Sequence, residues 1–125
     1  NFGNCFGWAT KILQNGLAWK KMKEIISAQG GKPNIDSEHL IPGKYSSKLK
    51  SSKNGIVKAL NSKNITIIAK LLGAPQQKGA GIYLDRKIKD VVGKGETICT
   101  LYSENVYNLK GAKKEAEQFP LYTIE

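Results

Sequence analysis

Residues 79–102, GAGIYLDRKIKDVVGKGETICTLY, narrow the choice of fold more than any other stretch. Ile82 and Leu84 alternate with Tyr83 and Asp85, the period of two that marks a half-buried strand. Lys89-Asp90 and Gly93-Lys94-Gly95 break the chain on either side of a valine pair, Val91-Val92. Residues 97–102 (TICTLY) are dense in β-branched and aromatic side chains, which fit a pleated surface. Short strands joined by tight glycine turns predict a small folded-over β structure. Nothing in the stretch is a nucleophile, a metal ligand set or an acid–base pair, so it reads as scaffold.

Helical patterns lie on both sides. Ile12 and Leu13 lead into Asn15-Gly16, a pair that ends one helix or marks its junction with the next. Beyond it Ala18, Met22, Ile25 and Gln29 recur at helical spacing, with Trp19 and Ile26 on a neighbouring line. Lys20, Lys21, Lys23 and Glu24 occupy the remaining, wet face, and Gly30-Gly31 with Pro33 stops the helix. Such an amphipathic helix needs a partner surface. Residues 32–44 read as an irregular connector; its His39 is expected as a surface-loop histidine, since no second catalytic group is near in sequence.

Residues 45–51 read as a strand, Asn54-Gly55 as a hairpin turn and residues 56–60 as the return strand. Asn61-Ser62 then caps a helix whose Ile65, Ile68, Ala69 and Leu72 form an i, i+3, i+4, i+7 stripe, ended by Gly73 and Pro75. Past Tyr102, Ser103 is expected to cap a last helix with Leu109, Ala112, Ala116 and Phe119 on one face; Gly111 weakens it by about 1 kcal/mol relative to alanine. Pro120 ends that helix, and residues 121–124 predict an edge strand. Strand pairs interrupted by single helices favour an α+β fold over the strict alternation of a parallel α/β sheet.

A chain of 125 residues has room for one domain, with at most an appendage, and a modest core. No apolar run approaches the ~20 residues of a membrane helix. The opening lacks the pattern of a signal peptide; it starts at Asn1 and runs straight into helical patterning, as the tail of a longer polypeptide would. The net charge of +10 comes from nineteen lysines and a single arginine, Arg86. A nucleic-acid-binding module is one reading, because lysines neutralise phosphates. Scatter of the lysines among acids, and the near-absence of guanidinium groups, favour a solvated surface instead. Cys5 and Cys99 sit in no metal-binding spacing, and His39 is the only histidine to join them. Two thiols in a reducing compartment are the simplest account, with Cys99 packed as a small hydrophobe.

Other site classes fare no better. Gly79-Ala80-Gly81 opens a strand and Gly93-Lys94-Gly95 joins β pieces, whereas a phosphate loop needs a glycine-rich turn leading into a helix. Asp85 and Asp90 flank a turn and are expected as solvated charges; no serine occupies a G-x-S-x-G elbow. Tyr45, Tyr83 and Tyr102 could stack single-stranded bases but are expected as core or half-core residues of the sheet. No catalytic, cofactor-binding or metal-binding residue is assigned.

Taken in order, several motifs resemble one family. Residues 18–31, AWKKMKEIISAQGG, are similar to the helix ending in AQGG before the C-terminal domain of thymidine and pyrimidine-nucleoside phosphorylases. Asn54-Gly55-Ile56-Val57 resembles that domain's SGxV hairpin, and residues 68–74 (IAKLLGA) its helix ending in LLGA. Residues 79–84, 92–96 and 100–103 follow its GIxL…VxKGExLxTLYS signature, and the KGAGIYL form resembles the archaeal, AMP phosphorylase branch. The likeness runs from about Leu17 to the end; residues 1–16 match poorly. Lys89-Asp90 stands where the family often has Gly-Asp, which implies a different turn after Ile88.

This resemblance implies a parent enzyme that cleaves a nucleoside or nucleoside monophosphate with phosphate, releasing a free base and a ribose phosphate. It implies residues 1–34 as a helical segment continuing from an upstream catalytic domain of the same polypeptide, and 35–125 as a β-hammerhead, barrel-sandwich-like domain packed with two helices. The family's phosphate loop has no counterpart here, so no catalytic residue carries over, and no cofactor is implied. Homo-oligomerisation of the parent, a cytoplasmic location, no membrane and no specific nucleic acid are the accompanying expectations. A biotinyl- or lipoyl-like carrier is the alternative suggested by the VGKGE turn, although that turn lacks the Met-Lys or Asp-Lys pair of such domains.

Overall fold

The structure, a computed structural model, describes residues 4–36, 38 and 40–125. Two compact units divide it, Asn1–Leu40 and Ile41–Glu125. His39 lies outside the described residues.

The first unit is a pair of helices, α1 (Cys5–Gln14) and α2 (Leu17–Ala28). Asn4 caps α1 by accepting the Gly7 N–H at 2.9 Å. The Asn15-Gly16 pair marks a junction: Gly16 takes φ 75°, and Asn15 Oδ1 accepts the Leu17 N–H that opens α2. Gly30 at φ 76° ends α2, as its sequence predicts. The amphipathic pattern is present, yet neither helix buries a single residue. Phe6, Trp8, Trp19, Met22 and Ile25 all remain exposed.

The second unit has the mixed α+β make-up expected of it. In chain order its elements are β1 (Tyr45–Lys50), β2 (Gly55–Leu60), α3 (Ser62–Leu72), β3 (Gly81–Leu84), β4 (Val91–Val92), β5 (Thr97–Ser103), α4 (Val106–Gln118) and β6 (Tyr122–Ile124). They form two antiparallel three-stranded sheets, ordered β1-β5-β3 and β4-β2-β6, which do not close into a barrel. Helices α3 and α4 pack on one another and on the first sheet. Between these layers Val57, Ile68, Leu72, Val92, Cys99 and Leu101 are almost wholly buried. Each large aliphatic side chain there contributes about 1.5–3 kcal/mol.

Helix α3 forms where its stripe and caps predict. Asn61 accepts the Asn64 N–H at 3.0 Å, Ile68 and Leu72 face the core, and Gly73 closes the helix at φ 116°. On α4 the buried side is Leu109, Ala112 and Ala116. Its cap differs from expectation: Asn105, not Ser103, accepts the first free N–H groups, from Tyr107 at 2.8 Å and Asn108 at 3.4 Å. Ser103 closes β5 instead. Its fully buried hydroxyl donates to the Leu72 carbonyl at 2.6 Å and accepts the Asn105 N–H at 3.2 Å. One serine therefore satisfies a last-turn carbonyl of α3 and ties that helix to the central strand.

Asn54-Gly55 is not the hairpin turn its sequence predicts. β1 pairs with β5 while β2 pairs with β4 and β6, so the chain changes sheets between Lys50 and Gly55. Neither Asn54 nor Gly55 has the positive φ that a type I′ turn requires at both central positions. Asn54 Oδ1 accepts the Lys94 N–H at 2.7 Å, stapling the VGKGE turn. A Cβ on Gly55 would lie 2.6 Å from the Glu125 carbonyl oxygen, so the glycine is there for close backbone approach.

Candidate functional site

The second unit carries a groove along the free edge of β6. The hydrogen-bond parity of that strand sets its character. Glu125 donates its N–H to the Ile56 carbonyl at 3.0 Å and accepts the Ile56 N–H in return, and Leu121 accepts from Asn61 N–H at 2.9 Å. In an antiparallel pair, alternate residues bond to the same neighbour. Residues 121, 123 and 125 thus face β2, and the main-chain groups of Tyr122 and Ile124 point the other way, over the groove.

Three walls enclose a space of about 520 Å³ there. β1 and the bend after it contribute the consecutive residues 48–52, whose side chains alternate sides, so the strand borders the space with its edge. α4 contributes Lys113, Ala116 and Glu117, one helical face, and Leu121, Tyr122 and Ile124 form the third wall. A shallower hollow of about 270 Å³ shares Ser52, Tyr122 and Ile124 with it and adds Lys53. The combined rim holds four lysines, Lys48, Lys50, Lys53 and Lys113, against one acid, Glu117.

Beneath the groove lies a polar knot. A bulge in β5 leaves Ile98 opposite no residue of β1, and its carbonyl accepts the Arg86 N–H at 3.1 Å and the Tyr122 hydroxyl at 2.8 Å. The same hydroxyl lies 3.2 Å from the Arg86 carbonyl. Thr100 donates to Asp85 Oδ2 at 2.9 Å. Burial, followed by the Cys99 thiolate once it forms at high pH and by the Asp85 carboxylate, pushes the Tyr122 phenol well above its ordinary range. Burial, helped by Asp85, likewise raises the Cys99 thiol to about 12. Near neutral pH both keep their protons, so neither is poised as a nucleophile or base.

The residues weighed from sequence fall as follows. Tyr45 is on the inner face of the first sheet, while Tyr83 and Tyr102 are on the outer face, because they lie opposite Thr100 and Ser46. The three therefore form no shared stacking platform, and Tyr83 is exposed where a core or half-core place is expected. The VGKGE turn uses its N–H groups internally: Gly93 donates to Glu96 Oε2 at 3.0 Å, Lys94 to Asn54, and Gly95 to the Ser51 carbonyl at 2.8 Å. Gly79 donates to the Glu104 carboxylate at 3.0 Å, and its carbonyl accepts the Gly43 N–H. Asp90 accepts the Lys87 N–H at 2.8 Å, which makes it a turn-former. Cys99 is buried and Cys5 exposed. Among the described residues no group of three or more His, Cys, Asp or Glu could hold a metal ion, and no helix is long and apolar enough to cross a membrane.

A family model for the pyrimidine nucleoside phosphorylase C-terminal domain matches residues 56–120, from β2 through α4. The chain belongs to this family. Relatives named AMP phosphorylase match 83–100% of this chain. An AMP phosphorylase of Methanosarcina acetivorans is 42% identical over 88% of this chain, which is 22% of the relative. One of Thermococcus kodakarensis is 42% identical over 83% of this chain and 21% of its own. One of Methanospirillum hungatei is 34% identical over 100% of this chain and 24% of its own. The chain thus spans about a quarter or less of the length of the curated relatives it matches.

The turn at Lys89 in this phosphorylase-family chain has an unusual backbone. Lys89 adopts φ 80°, the left-handed conformation that glycine takes without strain. Its N–H donates to the Val57 carbonyl at 2.8 Å, and Val57 N–H returns a bond to the Asp90 carbonyl at 2.9 Å. The chain makes a glycine-like turn here with a lysine. Tyr122 and the groove were not singled out by sequence reasoning; the only signal was a short terminal strand after Pro120.

Proposed function

We propose that this chain is the non-catalytic structural and assembly domain of a nucleoside or nucleoside-monophosphate phosphorylase. Residues 1–34 continue a helical region of the upstream catalytic domain, and residues 35–125 form the C-terminal domain. No residue of the chain is catalytic, and none binds a cofactor or metal. The parent enzyme, a cytoplasmic homo-oligomer, transfers the ribosyl group of AMP or a pyrimidine nucleoside to phosphate, releasing the free base. What carries this reading is the family match across residues 56–120 in a chain with relatives four to five times its length that are named AMP phosphorylases. The uncovered apolar residues of α1 and α2 support it, because an amphipathic pair that buries nothing is suited to docking on another domain.

The test is to incubate the purified 125-residue chain with AMP, or with uridine or thymidine, and inorganic phosphate, following base release by chromatography. No base above the enzyme-free control is expected. Turnover that scales with the protein added overturns the reading.

A further inference from the structure

We propose that the groove beside β6 docks an extended acidic segment of a partner protein, which pairs with β6 as an added strand. The inference concerns a site that the phosphorylase reading leaves unused, and it stands on three features of the groove itself. First, β6 is an edge strand, with β2 on one side only, and Tyr122 and Ile124 present their main-chain N–H and C=O groups to the open side. An added strand satisfies such groups directly, and the affinity of this binding mode comes from main-chain bonds. Second, the floor is apolar where a pleated guest would place every second side chain: Leu49, Ile98, Leu121 and Ile124 line it. Third, the rim charge is four lysines against one glutamate, which selects acidic residues at the alternate, outward positions of the guest.

Charge also decides between occupants. A second copy of this chain carries a net charge of +10, and its own β6 edge has the same lysine rim. Edge-to-edge pairing of two copies sets like charges against each other, the arrangement by which exposed edges avoid self-association. Nucleic acid would satisfy the lysines but leave the outward amides and carbonyls of Tyr122 and Ile124 and the apolar floor unused. The chemistry that uses all three features is an alternating acidic and apolar strand of about six residues, with a length near 20 Å at the usual rise per residue.

The experiment titrates the isotope-labelled 125-residue chain with capped hexapeptides while following amide resonances. An alternating Val-Glu hexapeptide is expected to shift the amides of Tyr122 and Ile124, to slow their hydrogen exchange, and to bind at least about tenfold more weakly to the Lys50→Glu, Lys113→Glu double variant. Raising salt from 0.05 to 0.3 M weakens it in the same direction, because rim charges are screened. A Val-Lys hexapeptide, and the Val-Glu peptide N-methylated at alternate amides, are expected to leave both amides unshifted; the N-methylated comparison uses the unaltered protein and so does not depend on a variant folding. The proposal fails if N-methylation leaves binding unchanged. It also fails if polyglutamate or an oligonucleotide shifts the lysine rim equally well with Tyr122 and Ile124 undisturbed, or if those two amides are protected without peptide in a concentration-dependent dimer. Base release plays no part in this readout, so its outcome is separable from that of the phosphorylase reading.

Discussion

Lys89→Gly should make the second unit more stable, although it deletes a whole side chain. Lys89 holds φ 80° between two main-chain bonds to Val57 that do not involve its side chain, and the side chain is exposed. An L-residue in the left-handed region costs roughly 1–2 kcal/mol, and glycine removes that cost. Glycine's greater freedom in the unfolded chain takes back roughly 0.5–1 kcal/mol. The net gain is about 0.5–1 kcal/mol, or about 2–8 °C in the melting temperature of a unit this size. The aromatic residues make the assay selective: Tyr45, Tyr83, Tyr102, Tyr107 and Tyr122 all lie in the second unit, and Trp8 and Trp19 in the first. Urea unfolding followed by tyrosine near-ultraviolet dichroism should shift to a higher midpoint with unchanged slope, while tryptophan fluorescence does not move. Lys89→Ala is the control, since alanine keeps the strained φ and should stay within about 0.5 kcal/mol of the parent chain. If the glycine variant is no more stable than the alanine variant, the strain argument is wrong.

Ser103→Ala should destabilise by about 1–3 kcal/mol in the same urea assay, because it leaves the buried Leu72 carbonyl without its donor. Tyr122→Phe should cost less, about 0.5–1.5 kcal/mol, since the Ile98 carbonyl keeps the Arg86 N–H. An aromatic disulfide reagent at pH 8 should titrate one thiol, Cys5, in the native chain and both in denaturant. The Cys99 pKa of about 12 against an ordinary 9.0 means that the folded state holds this proton more tightly, so stability falls as pH rises from about 9 towards 12. Glu96 behaves in the opposite sense: the Gly93 N–H, then Arg86, holds its carboxyl below 4.5, so its contribution is present above that pH and is lost on acidification. Thermal melts of Glu96→Gln should accordingly show a weaker decline on acidification below the ordinary carboxylate range than those of the parent chain.

Features decided within one turn of chain were legible in the sequence. Helix α3 has its cap at Asn61, its stripe from Ile65 to Leu72 and its stop at Gly73 within thirteen residues, and all three signals agree. The alternation of Ile82 and Leu84 with Tyr83 placed β3 correctly for the same reason. Asn54-Gly55 shows where such reading stops. Its hairpin signal is genuine as a local preference, but Gly55 pairs with Val92 and Ile56 bonds to Glu125, and these distant partners hold the pair out of the turn geometry. The cap of α4 moved by two residues because the Ser103 hydroxyl is engaged by the Leu72 carbonyl, 31 positions away in sequence. Local strength could not reveal that.

The groove is a stronger case of the same limit. Lys48, Lys50, Lys53 and Lys113 look scattered in sequence, which is why the chain's charge reads as a general solvated surface. They converge because β1 and β6 belong to different sheets and α4 spans the gap between them. That arrangement hangs on β2, whose successive residues bond to opposite neighbours: Val57 to the Lys89-Asp90 turn, Ile56 to Glu125. A slip of one residue in β2 would break both sets and turn Tyr122 and Ile124 away from the groove. The Lys89 turn fixes the register from one side, and the edge that faces the groove inherits it from the other. A strained residue is tolerable at such a position because the two Val57 bonds over-determine its conformation.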